Sequence, residues 1–246
     1  LSKFVVTATW DDVPHLSAAV KAELLKEIPA YQRDARSRGV PQLGAGAIYP
    51  IAESDLAAGD FDLPAHWPRA YGMDVGWQKT AAVWGARDNQ AGVIYLYSEH
   101  YRGHSEPILH ADAIKSRGEW IPGVIDPAAD GRSQIDGRRL LEIYRGLGLD
   151  VEKAVNAVEA GIYAVWGLMS TGKLKVFKSL SNWWTEFRTF QRDRDGRIVD
   201  DHKYHLMACT RYFIMSGRER MKAKPVPEKP HQKMYTVGRQ QQSWMG

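Results

Sequence analysis

The sequence predicts an α/β domain, a mixed β-sheet flanked by helices, with a helical linker segment ahead of it. Three observations carry that prediction. From Ala70 onward, three strand-like segments follow one another with only turns between them. Beyond them, strand-like and helix-like segments alternate. Residues 1–66 instead show helical spacing followed by a Gly- and Pro-rich stretch.

In that opening section, "HLSAAVKAELLKEIPAYQRDARSRG" carries Leu16, Val20, Leu24, Leu25 and Ile28 at helical spacing, with Pro29 as a kink and Gly39 as a stop. "VPQLGAGAIYPIAESDL" follows as a linker with little helix potential, and "DFDLPAHWP" closes the section. Strands are predicted at 70–75, 80–86 and 92–101, with turn chemistry at Gly76–Lys79 and in "RDNQAG". A helix over 105–118 comes next, then a short buried strand, "GVIDP", stopped by Pro127. "QIDGRRLLEIYRGLG" reads as a helix with Gly146 and Gly148 as end signals, and "LDVEKAV" as a short strand. The helix "VEAGIYAVWGLMSTG", the strand "KLKVFKS" and the helix "NWWTEFRTFQRD" follow. "RDGRIV" centres a hairpin turn, and "YHLMACTRYFIMSG" makes a last helix.

Three strands able to form an antiparallel meander, with later strands returning parallel through helices, give the ribonuclease H-like order. The chain divides into residues 1–66, an α/β domain at 67–218, and a tail at 219–246. From Arg218 to Gly246 there are seven Lys/Arg against Glu219 and Glu228, with three prolines and no apolar period, so the tail reads as flexible and basic.

Composition narrows the class. With 44% hydrophobic and 25% charged residues, the 246-residue chain is an ordinary globular protein. It has no apolar run of membrane-spanning length, and "LSKFVVTATW" lacks the basic, apolar and cleavage-site pattern expected of a signal peptide. A start at Leu1 in strand-like sequence suggests a fragment of a longer polypeptide. The net charge of +4 points only weakly to a polyanion partner. The single cysteine, Cys209, excludes an intrachain disulfide and a cysteine zinc cluster and fits a reducing compartment.

Two carboxylates carry the chemistry. Asp74, in "GMDVGW", ends the first strand between Met73 and Val75, where an uncompensated charge is costly. Asp126, in "GVIDP", ends the fourth strand. In this topology the two strands are neighbours, so both acids meet at one sheet edge and repel unless a cation lies between them. Mg²⁺ or Mn²⁺ would resolve that cost, and a two-metal site can hydrolyse phosphodiesters. Strand-end capping is the alternative reading of both acids. Asp130, Asp136, Asp193 and Asp195 sit in turn sequences, Glu159 on a helix, and Asp11 and Asp12 in a turn. There is no HExxH spacing and no GxxxxGK[ST], and Cys209 has no evident base.

With these acids placed, "TATWDDVPHLS", "RDARSRGVPQLGAGAIYP", "GMDVGWQKTAAVWGA", "SEHYRG", "WIPGVIDPAADGRSQIDG", "VEAGIYAVWGLMSTGKLKVF" and "HLMACTRY" together resemble the large terminase subunit of tailed double-stranded DNA bacteriophages. Such proteins join a packaging ATPase to a ribonuclease H-like nuclease that cuts concatemeric viral DNA. The resemblance implies that residues 1–66 are the end of the motor and its linker, and 67–218 the nuclease. It implies a two-metal site with Mg²⁺ or Mn²⁺, in the host cell cytoplasm. The implied partners are double-stranded DNA, the upstream ATPase domain of the same polypeptide, the portal and the small terminase subunit, with no membrane.

The family's three acids map onto Asp74, Asp126 and a position in a last-helix motif resembling "DHxxDAxRY". Aligned on Arg211 and Tyr212, that third position is Ala208, with His205 retained and Tyr204 replacing the first Asp. Either the site is inactivated here or Asp200 or Asp201 substitutes; two helical turns separate Asp201 from Ala208, which favours inactivation. Arg211 and Tyr212 read as packing or ion-pair residues. Nothing resembles a base-reading helix, so DNA contact would go to phosphate, with Lys79, Arg132, Arg138, Arg139 and the tail as candidates. The alternative is a non-catalytic module that clamps DNA or docks on the motor.

Overall fold

A computed structural model of the chain describes residues 9–13, 15–28, 33–38, 46–130 and 139–225. Its strands are β1 (Ala57–Ala58), β2 (Arg69–Asp74), β3 (Thr80–Asp88), β4 (Val93–Arg102), β5 (Gly123–Ile125), β6 (Val151–Lys153) and β7 (Leu174–Phe177). The helices are α1 (Ala18–Glu27), α2 (Arg33–Arg38), α3 (Glu53–Leu56), α4 (Pro107–Lys115), α5 (Leu140–Gly146), α6 (Val158–Ser170), α7 (Ser181–Thr189), α8 (His205–Tyr212) and α9 (Arg218–Arg220). The strands form one mixed sheet in the order β1-β7-β4-β3-β2-β5-β6. As predicted, β2, β3 and β4 are an antiparallel meander, and β5, β6 and β7 join parallel to their neighbours.

Both faces of this sheet are covered. Ala70, Ala81, Val83 and Leu96 face α6, α7 and α8, whereas Tyr71, Met73, Ala82 and Trp84 face α4 and α5. Because neither face meets water, the first seven residues of the central strand β3 are all buried. This explains why "TAAVWGA" reads as a continuous apolar run rather than an alternation.

Four details differ from the sequence reading. The stretch read as linker contains α3, and the edge strand β1 follows directly on it and pairs parallel with β7; burial of Tyr49 and Leu56 in the main core overrides the local Gly and Pro signals. Helix α7 stops at Thr189, because Phe190 turns into the core and Gln191 and Arg192 bridge to Ala47 and Ile198. The last helix changes at Tyr212 into a π-helical turn, Phe213–Gly217. The basic residues just after 218 are held in place: Arg220 pairs with Asp150 and Glu152, and Lys222 pairs with Asp150 and bridges to Arg69. The rest of the proposed tail, 226–246, lies outside the described residues.

One packing contact positions the chemistry. A Cβ on Gly72 of β2 would lie 2.2 Å from the Cys209 carbonyl oxygen and 2.9 Å from the Phe213 amide nitrogen. On β3, a Cβ at Gly85 would lie 2.2 Å from the Phe213 ring. So α8 rides on the sheet closer than any side chain at Gly72 would allow.

Gly72→Ala is therefore expected to lower stability by roughly 1–3 kcal/mol or more, since the clash is with backbone and cannot be relieved by a rotamer. Gly167→Ala on α6, where nothing lies within 4 Å, should instead raise it by roughly 0.5–1 kcal/mol. Urea unfolding of the two variants checks both signs. An unchanged midpoint for Gly72→Ala would mean that α8 can lift without cost.

Candidate active site

Strands β2 and β5 run parallel with Met73 opposite Ile125, so the next residues, Asp74 and Asp126, lie side by side where the strands end. The Asp126 amide donates to the Met73 carbonyl at 2.8 Å, which fixes the register at that step. Both acids are half-buried and lie on the face that Gly72 presents to α8.

Helix α8 then supplies a partner for each acid. His205 Nδ1 lies 2.8 Å from Asp74 Oδ2, and the Tyr212 hydroxyl donates to Asp126 Oδ1 at 3.1 Å. The Ala128 amide also donates to Asp126 Oδ1, at 3.1 Å. Residues 205, 208 and 212 form one stripe of a helix with 3.6 residues per turn. Ala208 thus lies between the two donors, packed against Val124, Ala154 and Tyr212.

The electrostatics follow from this crowding. Burial raises the Asp126 pKa, and the charge and direct contact of Asp74 add to that, while the Ala128 amide and Tyr212 hydroxyl pull it back. The hydrogen bond to Asp74 raises the His205 pKa, favouring an imidazolium against that carboxylate. Lys79 Nζ sits 4.3 Å over the Tyr101 ring and its charge acts on His205, so it stands at the rim of the pair.

The site is anchored from behind by two further carboxylates. Glu99 Oε1 and Oε2 accept from the Asn182 and Trp183 amides at the start of α7. On α7, Glu186 Oε2 accepts from the Leu206 and Met207 amides at 2.7 and 3.1 Å, capping α8. Neither helix has a side-chain N-cap of its own, so these remote acids satisfy the orphan amides.

With this geometry established, comparison with known proteins places the chain. The family model for the Terminase RNaseH-like domain matches residues 71–216, more than half of the sequence. The chain belongs to that family. The large terminase subunit of Salmonella phage P22 is 29% identical over 227 residues, covering 88% of this chain and 45% of the relative. That of Enterobacteria phage LP7 is 29% identical over 224 residues, covering 87% and 46%. The chain thus spans about half the length of the curated relatives it matches. Among solved structures, the P22 large terminase nuclease domain is 27% identical, with TM-score 0.66 over 74% of this chain and 96% of that one. The large terminase of a thermophilic bacteriophage shares the fold, at 19% identity and TM-score 0.61 over 85% of this chain and 55% of that one.

In this terminase RNaseH-like domain, Asp74, Asp126 and Ala208 are brought together, with Lys79 beside them. Arg139 stands before α5, whose core residues pack on the other face of the sheet, and Arg132 and Arg138 lie outside the described residues. Asp200 and Asp201 are both exposed in the turn before α8, and Asp200 is paired with Lys203. Among the described residues, no group of three or more His, Cys, Asp or Glu is arranged to hold a metal. No helix among them is long and apolar enough to cross a membrane. Arg211 is a packing residue, its stem against Gly161 of α6, and makes no ion pair among the described residues. Tyr212, read as packing or ion pairing, instead holds an acid. Glu186 was missed, although it falls on the apolar stripe Trp183–Glu186–Phe187–Phe190, where a carboxylate has to be buried.

Burial raises the Glu186 pKa to about 7 from the ordinary 4.5, against the lowering effect of the two amides. The folded chain therefore holds a proton that the unfolded chain releases. The stabilisation is complete below pH 4.5 and is lost as pH rises through 7. The advantage of wild type over Glu186→Gln should shrink by about 1.4 kcal/mol per pH unit across that window and level off above it. Chemical denaturation at a series of pH values measures this; a constant difference would contradict it.

Proposed function

We propose that residues 67–218 are the metal-dependent endonuclease domain of a genome-packaging terminase large subunit, and that Ala208 leaves its metal site incomplete. The observation that carries this is the pair Asp74 and Asp126, converging under the His205–Ala208–Tyr212 stripe of α8. Similarity to the P22 large terminase nuclease domain supports the reading. In the whole protein, residues 1–66 would lead from an ATPase domain, and the portal and small subunit would be its partners.

The donor set suits one hard divalent cation, Mg²⁺ or Mn²⁺. Two carboxylates are pressed together, and burial, with the Asp74 charge adding to it, makes Asp126 hold protons more readily than an ordinary carboxyl. It does not suit a three-acid pair of ions, because an alanine methyl occupies the third position. When bound, such ions supply a nucleophilic water and stabilise the leaving oxygen of a phosphodiester. The chain's own residues do the positioning. His205 fixes Asp74 through Oδ2, and Tyr212 and Ala128 fix Asp126 through Oδ1, leaving the other oxygen of each for the ion. Lys79 offers a cation at the rim to a backbone phosphate, a contact indifferent to sequence. The missing third acid also favours a second reading, in which the domain clamps double-stranded DNA or docks on the motor without cutting.

Ala208→Asp should raise Mg²⁺- or Mn²⁺-dependent plasmid cleavage by orders of magnitude while changing DNA binding little. In EDTA the same change should lower the melting temperature, because a third carboxylate then faces two others. Cleavage absent in both forms favours the clamping module, and full activity in the Ala208 chain would show that three acids are not needed.

Asp126→Asn keeps the acceptor for Tyr212 and Ala128 but removes the crowded charge. In EDTA it should melt higher, by about 2–4 °C for each kcal/mol relieved in a domain of this size. The upward shift that Mn²⁺ gives the wild type should disappear. A lower melting temperature in EDTA would assign Asp126 a structural role instead.

A further inference from the structure

On the far side of the same sheet edge lies a small cavity of about 170 Å³. Val75 and Trp77 wall it from the β2–β3 turn, Pro107 from the start of α4, and Leu140 and Tyr144 from α5, with His110 also lining it. Val75 follows Asp74 directly, so the cavity and the acid pair are reached over one chain reversal. Trp77 is 64% exposed and meets His104 edge-on, with ring centroids 5.9 Å apart. A single exposed aromatic is ordinary, but here it stands over an apolar slot beside an active site.

Two properties define what the slot accepts. His110 Nδ1 is paired with His100 Nε2 at 2.9 Å, so this polar group is already engaged inside the protein. Burial also lowers the pKa of both rings, keeping them uncharged at neutral pH. The Thr80 and Ser105 hydroxyls are engaged too, donating to the Gly76 and Gly103 carbonyls, so apart from Glu106 the walls favour stacking on a flat ring over reading its edge. The surroundings carry both signs: the charge of Arg102 is felt by both histidines, Lys79 stands over Tyr101 on the acid-pair side of the edge, and exposed Glu106 lines the slot at the start of α4. An apolar slot under an exposed indole, with Lys79 and Arg102 on the two sides of the edge that carries the acid pair, suits a flat ring borne on an anionic chain.

We propose that this cavity receives an unpaired nucleobase of the DNA strand lying next to the one held at Asp74 and Asp126. The inference rests on the nuclease-domain reading above. Recognition is by stacking on Trp77, so all four bases are accepted. Entry requires unstacking, which costs least at a gap, bulge or end, so such sites are preferred over intact duplex.

The test is fluorescence anisotropy of the whole chain in EDTA, with an intact duplex and with the same duplex carrying a one-base bulge. The bulged duplex should bind about tenfold more tightly, the scale of one base–aromatic stack. An abasic nucleotide at the bulge should remove that gain. Trp77→Ala, at an exposed position, should abolish the preference and leave intact-duplex affinity unchanged. Leu140→Trp, which fills the slot but keeps Trp77, should do the same. Trp166→Ala on α6 should leave the preference intact. Equal binding of the two duplexes by wild type, or a preference that survives both slot variants, would overturn the proposal while the nuclease reading stands. Binding of neither duplex would sink both.

Discussion

The close seat of α8 on β2 is the constraint on which the site depends. Two strands ending in register can bring Asp74 and Asp126 together, but they cannot decide what faces the pair. That is decided by Gly72, where the helix backbone meets the strand with no room for a Cβ. At this distance a histidine and a tyrosine seven residues apart on one helix each reach a different acid. A helix held further out would leave both carboxylates facing solvent, without fixed orientation.

Fixing the distance does not fix the helix along its own axis, and here two carboxyl groups take over. Glu99 on the sheet holds the start of α7, and Glu186 on α7 holds the start of α8. Trp183 ties the same two helices by donating to Thr210 at 2.9 Å. The cost of burying Glu186 is offset by two backbone amides that would otherwise go unpaired. The chain of carboxylate caps runs from β4 to α8 and ends one residue from His205.

Much of this was legible in the sequence for a local reason. Strand-like runs separated only by turn chemistry announce a meander, and an aspartate at the end of an apolar run announces a carboxylate at a sheet edge. The meeting of Asp74 and Asp126 could therefore be read from the residues themselves. The functions of Tyr212 and Glu186 could not, because each depends on which way a helix faces after it has docked. Glu186 still left a trace, as a charge on an apolar stripe. The edge strand Ala57–Ala58 left none: two alanines have no strand signature, and only β7 makes them a strand.

The π-helical turn at Phe213–Gly217 has its own consequence. It sets Phe213 against Gly85 and lets the chain continue to Arg220, which grips Asp150 and Glu152 on and beside β6. A π turn is an α-helix with one residue inserted, so a chain one residue shorter would run straight on. Everything after the deletion would rotate by about 100°, taking Arg220 away from its two acids. The stripe that faces Asp74 and Asp126 lies upstream and would not turn. The turn thus acts as a phase coupling between two gear trains, letting the face turned to the acid pair and the C-terminal latch each keep its own angular setting on what is otherwise one helix.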